Sequence, residues 1–146
     1  MFALPYVFSD EKLFYIQPLK KRDLNECFKI VSKRYNQRNL KQNMNSYINA
    51  GNAVGVKDSG KLIAFAFWFI GQNGVSLTHF YIDEFYRKKP FWLWFYTQIL
   101  LNFEGKRVFV HSKDVWEYKS IAKPTKIKDE YEIVLPNLKV VQWVKP

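Results

Sequence analysis

The sequence predicts an α+β (mixed α/β) domain in which one central, mostly antiparallel sheet is flanked by helices on both faces. Three observations predict it. Two helix-periodic segments stand near the start of the chain, three apolar strand-like runs joined by short turn sequences come next, and an apolar helical stretch then leads into further short branched runs.

Phe14-Tyr15-Ile16-Gln17-Pro18-Leu19 has the aromatic and branched content of an opening strand, closed by Pro18 and the basic Lys20, Lys21 and Arg22. Asp23 precedes Leu24, Cys27, Phe28, Val31 and Tyr35 at helical spacing, with Glu26 placed as in a capping box, so a helix runs from Leu24 to Tyr35. Leu40, Met44, Tyr47 and Ile48 predict a second, weaker helix over Asn39 to Ala50, ended by Gly51. Ala53–Lys57 and Leu62–Ile70 flank the turn Asp58-Ser59-Gly60-Lys61 as a hairpin, and Gly71-Gln72-Asn73-Gly74 turns the chain into Val75–Ile82. Pro90 suits the first turn of a central helix over Phe91 to Phe103, which Gly105 ends. Arg107–His111 reads as a short strand, and Asp114 as the cap of a helix from Val115 to Ala122 that Pro124 stops. Tyr131–Leu135 and Lys139–Val144, joined by Pro136-Asn137, are the last strand candidates.

The chain has 146 residues, 48% of them hydrophobic and 25% charged, which excludes a disordered tail and predicts one domain over 1–146. The lone Cys27 excludes an intrachain disulfide framework and fits a reducing compartment, with Cys27 as a core residue. The longest apolar runs, Leu62–Ile70 and Phe91–Tyr96, fall short of the roughly 20 residues of a membrane helix. Met1 to Phe8 lacks a basic start and Asp10 and Glu11 come directly after it, so no secretory signal is read and a cytoplasmic location is expected. The net charge of +10 favours an anionic partner: nucleic acid, a polyphosphate-bearing cofactor or an acidic protein surface.

Ile16-Gln17-Pro18-Leu19 followed by Asp23-Leu24, then Gly60-Lys61-Leu62-Ile63-Ala64-Phe65-Ala66, then Phe80-Tyr81-Ile82 through Phe85-Tyr86-Arg87, stand in a characteristic order. In that order the chain resembles the GNAT superfamily of acetyl-CoA-dependent N-acyltransferases. The resemblance implies acyl transfer from acetyl-CoA to an amine, with Tyr81, Ile82, Arg87, Lys88 and Lys89 toward the cofactor. It also implies that Ser76–Ile82 and Arg107–His111 are neighbouring strands splayed apart at one end, where the family holds pantetheine. Strands paired without a gap would remove the acyl-CoA reading.

Family members cradle the pyrophosphate on Arg/Gln-x-x-Gly-x-Gly/Ala, because glycines let backbone amides approach phosphate and a helix start presents unpaired donors. The matching segment here is Arg87-Lys88-Lys89-Pro90-Phe91-Trp92, with Pro90 and Trp92 at the glycine positions. Proline deletes an amide donor and tryptophan adds bulk, while Lys88 and Lys89 offer charge in place of a shaped nest. A basic turn entering a core helix is the competing reading. By the same resemblance Tyr118, on the final helix, is the candidate general acid and Glu84, beside Asp83, the candidate base.

His79 and His111, each on a predicted strand, read as packed residues, and no ligand spacing supports a metal. Eight Lys or Arg between Lys20 and Lys41 form a solvated face or a surface for an acidic acceptor or nucleic acid. Residues Phe91 to Phe103 are apolar all round, so the chain's own Met1–Phe8, a protein partner or a second copy must cover part of that helix. Two functions from different classes therefore stand: a GNAT-like N-acetyltransferase, or a catalytically silent relative that binds proteins, as a bacteriophage particle component or a phage protein acting on its host. A nucleic-acid-binding module is third.

Overall fold

The computed structural model describes residues 5–9, 12–87, 90–111 and 122–133. It opens with a two-stranded antiparallel hairpin, β1 (Tyr6–Ser9) and β2 (Lys12–Phe14). The predicted strand over Phe14–Leu19 is split: Phe14 closes β2, and only Gln17–Pro18 form β3, which joins the main sheet. Pro18 is tolerated there because β3 lies at the sheet edge.

Helices α1 (Leu24–Val31) and α2 (Leu40–Asn49) come next. The expected capping box is not what Asp23 and Glu26 make. The Asp23 carboxylate accepts the amide of Lys20 at 2.8 Å, and Glu26 accepts the amide of Leu62 at 2.8 Å, tying α1 to the sheet. Leu24, Cys27, Val31, Leu40, Met44 and Ile48 are buried, the stripe their spacing predicted.

Strands β4 (Ala53–Asp58), β5 (Lys61–Gly71) and β6 (Gly74–Ile82) form the expected antiparallel meander. A short helix α3 (Glu84–Arg87) and the central helix α4 (Pro90–Asn102) lead to β7 (Val108–His111). The sheet is completed by β8 (Ala122–Pro124) and β9 (Glu130–Ile133), giving the order β3-β4-β5-β6-β7-β9-β8. All neighbours are antiparallel except β6 and β7, which run parallel because α4 carries the chain across between them. Ala122, read as the end of a helix, begins strand β8, and Pro124 is accommodated at the outer edge. The helix predicted over 115–121, with Tyr118, and the strand over Lys139–Val144 lie outside the described residues.

Two cores lie on opposite faces of the sheet. Leu62, Phe65 and Phe67 pack with α1 and α2, while Val54, Ala66, Phe80 and Ile82 pack with α4. The apolar surface of α4 beyond the sheet is covered by the N-terminal hairpin: the Tyr6 ring lies 5.6 Å from those of Phe91 and Trp94, Phe14 lies 5.9 Å from Phe91, and Phe8 lies 5.9 Å from Tyr86. Aromatic burial of this kind contributes roughly 0.5–1.5 kcal/mol per ring pair beyond area alone.

Candidate functional site

The site begins with one extra residue. Phe67 pairs with His79 and Trp68 with Leu77, so Thr78 is left without a partner and forms a bulge in β6. A bulge bends its strand and re-aims the side chains beyond it. Just before it, Val75, Ser76 and Leu77 pair with Val108, Phe109 and Val110 of β7. The pairing reaches Leu77 and Val110, β7 ends one residue later at His111, and β6 continues to Ile82; the residues after His111, on which the expected splay depends, lie outside the described residues.

Two arginine side chains meet β6 past Leu77. Arg34, just after α1, donates to the Phe80 carbonyl at 3.4 Å, and Arg87 Nε donates to the Ile82 carbonyl at 2.7 Å. A cavity of about 360 Å³ lies beside the bulge, on the α1–α2 side, bordered by Tyr35, Thr78, His79, His111 and Glu130. The Tyr35 ring stands edge-on between two imidazoles, 5.3 Å from His79 and 5.5 Å from His111. His111 is in register with Glu130 across β7 and β9, and Glu130 accepts the Thr125 hydroxyl at 2.8 Å.

His79 is 5% exposed, and among the described residues neither its Nδ1 nor the buried Thr78 hydroxyl has a hydrogen-bond partner. Burial, aided by the nearby Arg34 cation, pushes His79 down to about 4, so it is neutral at pH 7. A buried polar atom without a partner costs about 1–3 kcal/mol, which a ligand placed in the cavity would recover.

The residues singled out in the sequence are dispersed around this centre. The Tyr81 hydroxyl donates to Asp83 at 3.2 Å and its ring stacks on Phe65, and burial with the Asp83 charge pushes it up to about 12. The Ile82 side chain is buried against α4, leaving only its backbone for the cleft. Glu84 is exposed at the start of α3 and does not border the cavity. Lys88, Lys89 and Tyr118 lie outside the described residues. The histidines, read as separate packed residues, are brought together with Tyr35; their signal is invisible without the parallel register that places β7 beside the bulge. Cys27 is fully buried, its thiol pushed up to about 12 by desolvation, and is a core residue.

Solved structures with a similar fold include N-acetyltransferases. The PaiA N-acetyltransferase of Thermoplasma acidophilum, solved with coenzyme A, matches at TM-score 0.57 and 16% identity over 82% of this chain and 96% of that one. Ard1 of Thermoplasma volcanium matches at 0.60 and 12% over 84% of this chain and 98% of that one. The chain has the GNAT fold. The N-acetylglutamate synthase of Neisseria gonorrhoeae, solved with coenzyme A and N-acetylglutamate, matches this GNAT fold at TM-score 0.64 and 10% identity over 86% of this chain, which spans 36% of that protein. No protein-family model and no curated protein sequence matches the chain, so the likeness is one of fold. Among the described residues no helix is long and apolar enough to cross a membrane, and no group of His, Cys, Asp and Glu is placed to hold a metal ion.

Past Leu77, the described residues give β6 no strand partner on its β7 side, and the carbonyls of Phe80 and Ile82 accept from Arg34 and Arg87. At the start of α4, Pro90 has no N–H, Phe91 is fully buried among aromatic rings, and Arg87 is turned back onto β6. Lys88 and Lys89, between Arg87 and this turn, lie outside the described residues.

Proposed function

We propose that this chain is an N-acyltransferase that moves an acyl group from a pantetheine thioester such as acetyl-CoA to an amine. The observation that supports the reading is the cavity bordered by Tyr35, His79 and His111, where the buried His79 Nδ1 has no hydrogen-bond partner among the described residues. In the net reaction the amine nitrogen bonds to the acyl carbon and the carbon–sulfur bond breaks. One amine proton is lost and the sulfur leaves as a thiol. His79, neutral at pH 7, orients the amine by accepting its N–H at Nδ1 while the proton passes to water, and Arg34 offsets negative charge developing beside β6. Tyr35 and His111 shape the acceptor side, and Glu130 attracts a cationic amine to it, which gives up one proton to water before it attacks.

A catalytically silent GNAT-fold protein is the second reading, favoured by the two arginines that already satisfy the carbonyls of Phe80 and Ile82. Calorimetric titration with acetyl-CoA separates the two. The acyltransferase reading expects a dissociation constant below about 1 mM, a binding free energy more favourable than about −4 kcal/mol. Weaker binding, with no thiol released in the presence of amines, would establish the silent reading.

A further inference from the structure

We infer that the outer face of α1 and α2 is a docking surface for single-stranded nucleic acid, gripped along its phosphates. The inference stands apart from the acyltransferase reading and rests on how this stretch disposes of its charge. Between Lys20 and Lys57 nine Lys or Arg stand against two acids, which is seven of the chain's ten net positive charges. No acid occurs from Cys27 to Lys57. Both acids are turned away from the face: Asp23 is buried and paired with Lys57, and Glu26 accepts the Leu62 amide on the sheet. The cations left outside, Arg22, Lys29, Lys33, Arg38 and Lys41, are exposed and make no ion pair among the described residues. A solvated face ordinarily mixes both signs, which damps self-repulsion, whereas this one is completed only by an anion.

The company these cations keep selects the anion. Every exposed residue from Lys20 to Asn49 is Lys, Arg, Asn, Gln or Ser. Those side chains bond phosphate, sugar and base edges. A protein interface centres on aromatic or aliphatic anchors and is poor in lysine, and a membrane surface takes inserted apolar side chains; no large hydrophobic residue is exposed on this face. Lys29, near the end of α1, and Lys33, just past it, are one helical turn apart, about 6 Å along the axis, a step that follows a chain of phosphates. A groove of about 430 Å³ separates Phe28 of α1 from Lys41 in the first turn of α2, and the Lys41 ammonium lies 5.6 Å from the centre of the Phe28 ring. Asn36, Gln37 and Asn39 line the same groove with donors and acceptors for an unpaired base, whose edges a duplex would hide. Both helices are packed on the sheet through Cys27, Met44 and Phe65, so neither projects as a helix that enters a duplex groove does.

The test is fluorescence anisotropy of a labelled, mixed-sequence single strand of about 20 nucleotides, titrated with the full chain between about 0.05 and 0.3 M salt. Five phosphate contacts at about 0.7 each give an expected slope of log affinity on log salt near about −3.5, with a dissociation constant below about 100 µM at about 0.15 M salt. Lys29→Gln combined with Lys33→Gln should make the slope shallower by about 1.4 and weaken binding roughly tenfold. Lys106→Gln combined with Lys123→Gln removes the same charge from exposed positions on other elements and should change affinity by less than about twofold. Equal losses from the two pairs would reduce the effect to general attraction toward a +10 protein and overturn the inference. Absence of binding at the lowest salt would also overturn it, as would tenfold tighter binding of a polyglutamate chain of equal charge, of anionic lipid vesicles or of the matching duplex.

Discussion

Acidification from pH 7.5 to 5 is expected to weaken the fold through a single imidazole. His79 sits at 5% exposure between the edges of Tyr35 and Phe67, where desolvation first and Arg34 second hold it near 4 instead of 6.5. In the unfolded chain His79 takes up a proton as pH falls through about 6.5, whereas in the folded chain it does so only near 4. The unfolded state therefore binds more protons in that window. Stability is complete above about pH 6.5 and is lost as pH falls toward 4. At 1.36 kcal/mol per pH unit the full loss is about 3 kcal/mol, of which about 2 kcal/mol has gone by pH 5. Urea denaturation of the wild type and of His79→Phe, at intervals between pH 7.5 and 5, measures it. Arg34, Tyr35 and His111, and Glu130, Asp129 and Lys128 on the facing turn, are common to both proteins, so the difference isolates His79. The two stabilities should converge by about 2 kcal/mol toward pH 5. Parallel curves, with His79→Gln giving the same result, would refute the buried neutral imidazole.

Asp23→Ala should cost about 2 kcal/mol in chemical denaturation, because the carboxylate is 5% exposed, pairs with Lys57 at 2.6 Å and accepts the Lys20 amide. Burial raises the Asp23 pKa, but those two partners and nearby charge overcome it and hold it below the usual range, so its contribution is present above about pH 4 and is lost on further acidification. Gly74→Ala should cost about 3 kcal/mol or more, since Gly74 has φ +143° and an added Cβ would lie 2.4 Å from the Arg107 carbonyl oxygen, where β6 meets β7. Pro90→Gly combined with Trp92→Gly restores one amide and removes an indole from the start of α4. Affinity for acetyl-CoA should rise roughly tenfold while that for acetyl-pantetheine is unchanged, with circular dichroism showing that the variant remains folded.

Elements set by local pattern are legible in the sequence. The stripes of α1 and α2, the turn at Ser59-Gly60 and the apolar run of β5 each announce themselves within ten or so residues. The illegible elements depend on partners distant in sequence. Gln17–Pro18 count as a strand only because Gly55 and Val54 stand opposite, and Ala122–Pro124 only because Ile133 to Tyr131 do. A local reading takes the first as part of a longer strand and Ala122 as part of a helix. The site divides in the same way. Arg87 can be named from a local motif, and its Nε–H bonds the Ile82 carbonyl. The grouping of Tyr35, His79 and His111 arises from a bulge and a parallel register joining three separate segments, and no spacing along the chain encodes it.

The N-terminal hairpin that covers α4 also imposes an order on folding. Tyr6, Phe8 and Phe14 leave the ribosome about eighty residues before Tyr86, Phe91 and Trp94, the rings they cover. Until α4 has emerged and settled on the sheet, the hairpin has nothing to dock on, and until the hairpin docks, α4 shows water a bare aromatic flank. That last closure is long in sequence, slow for the same reason, and the step at which the nascent protein is most exposed to association with its own copies.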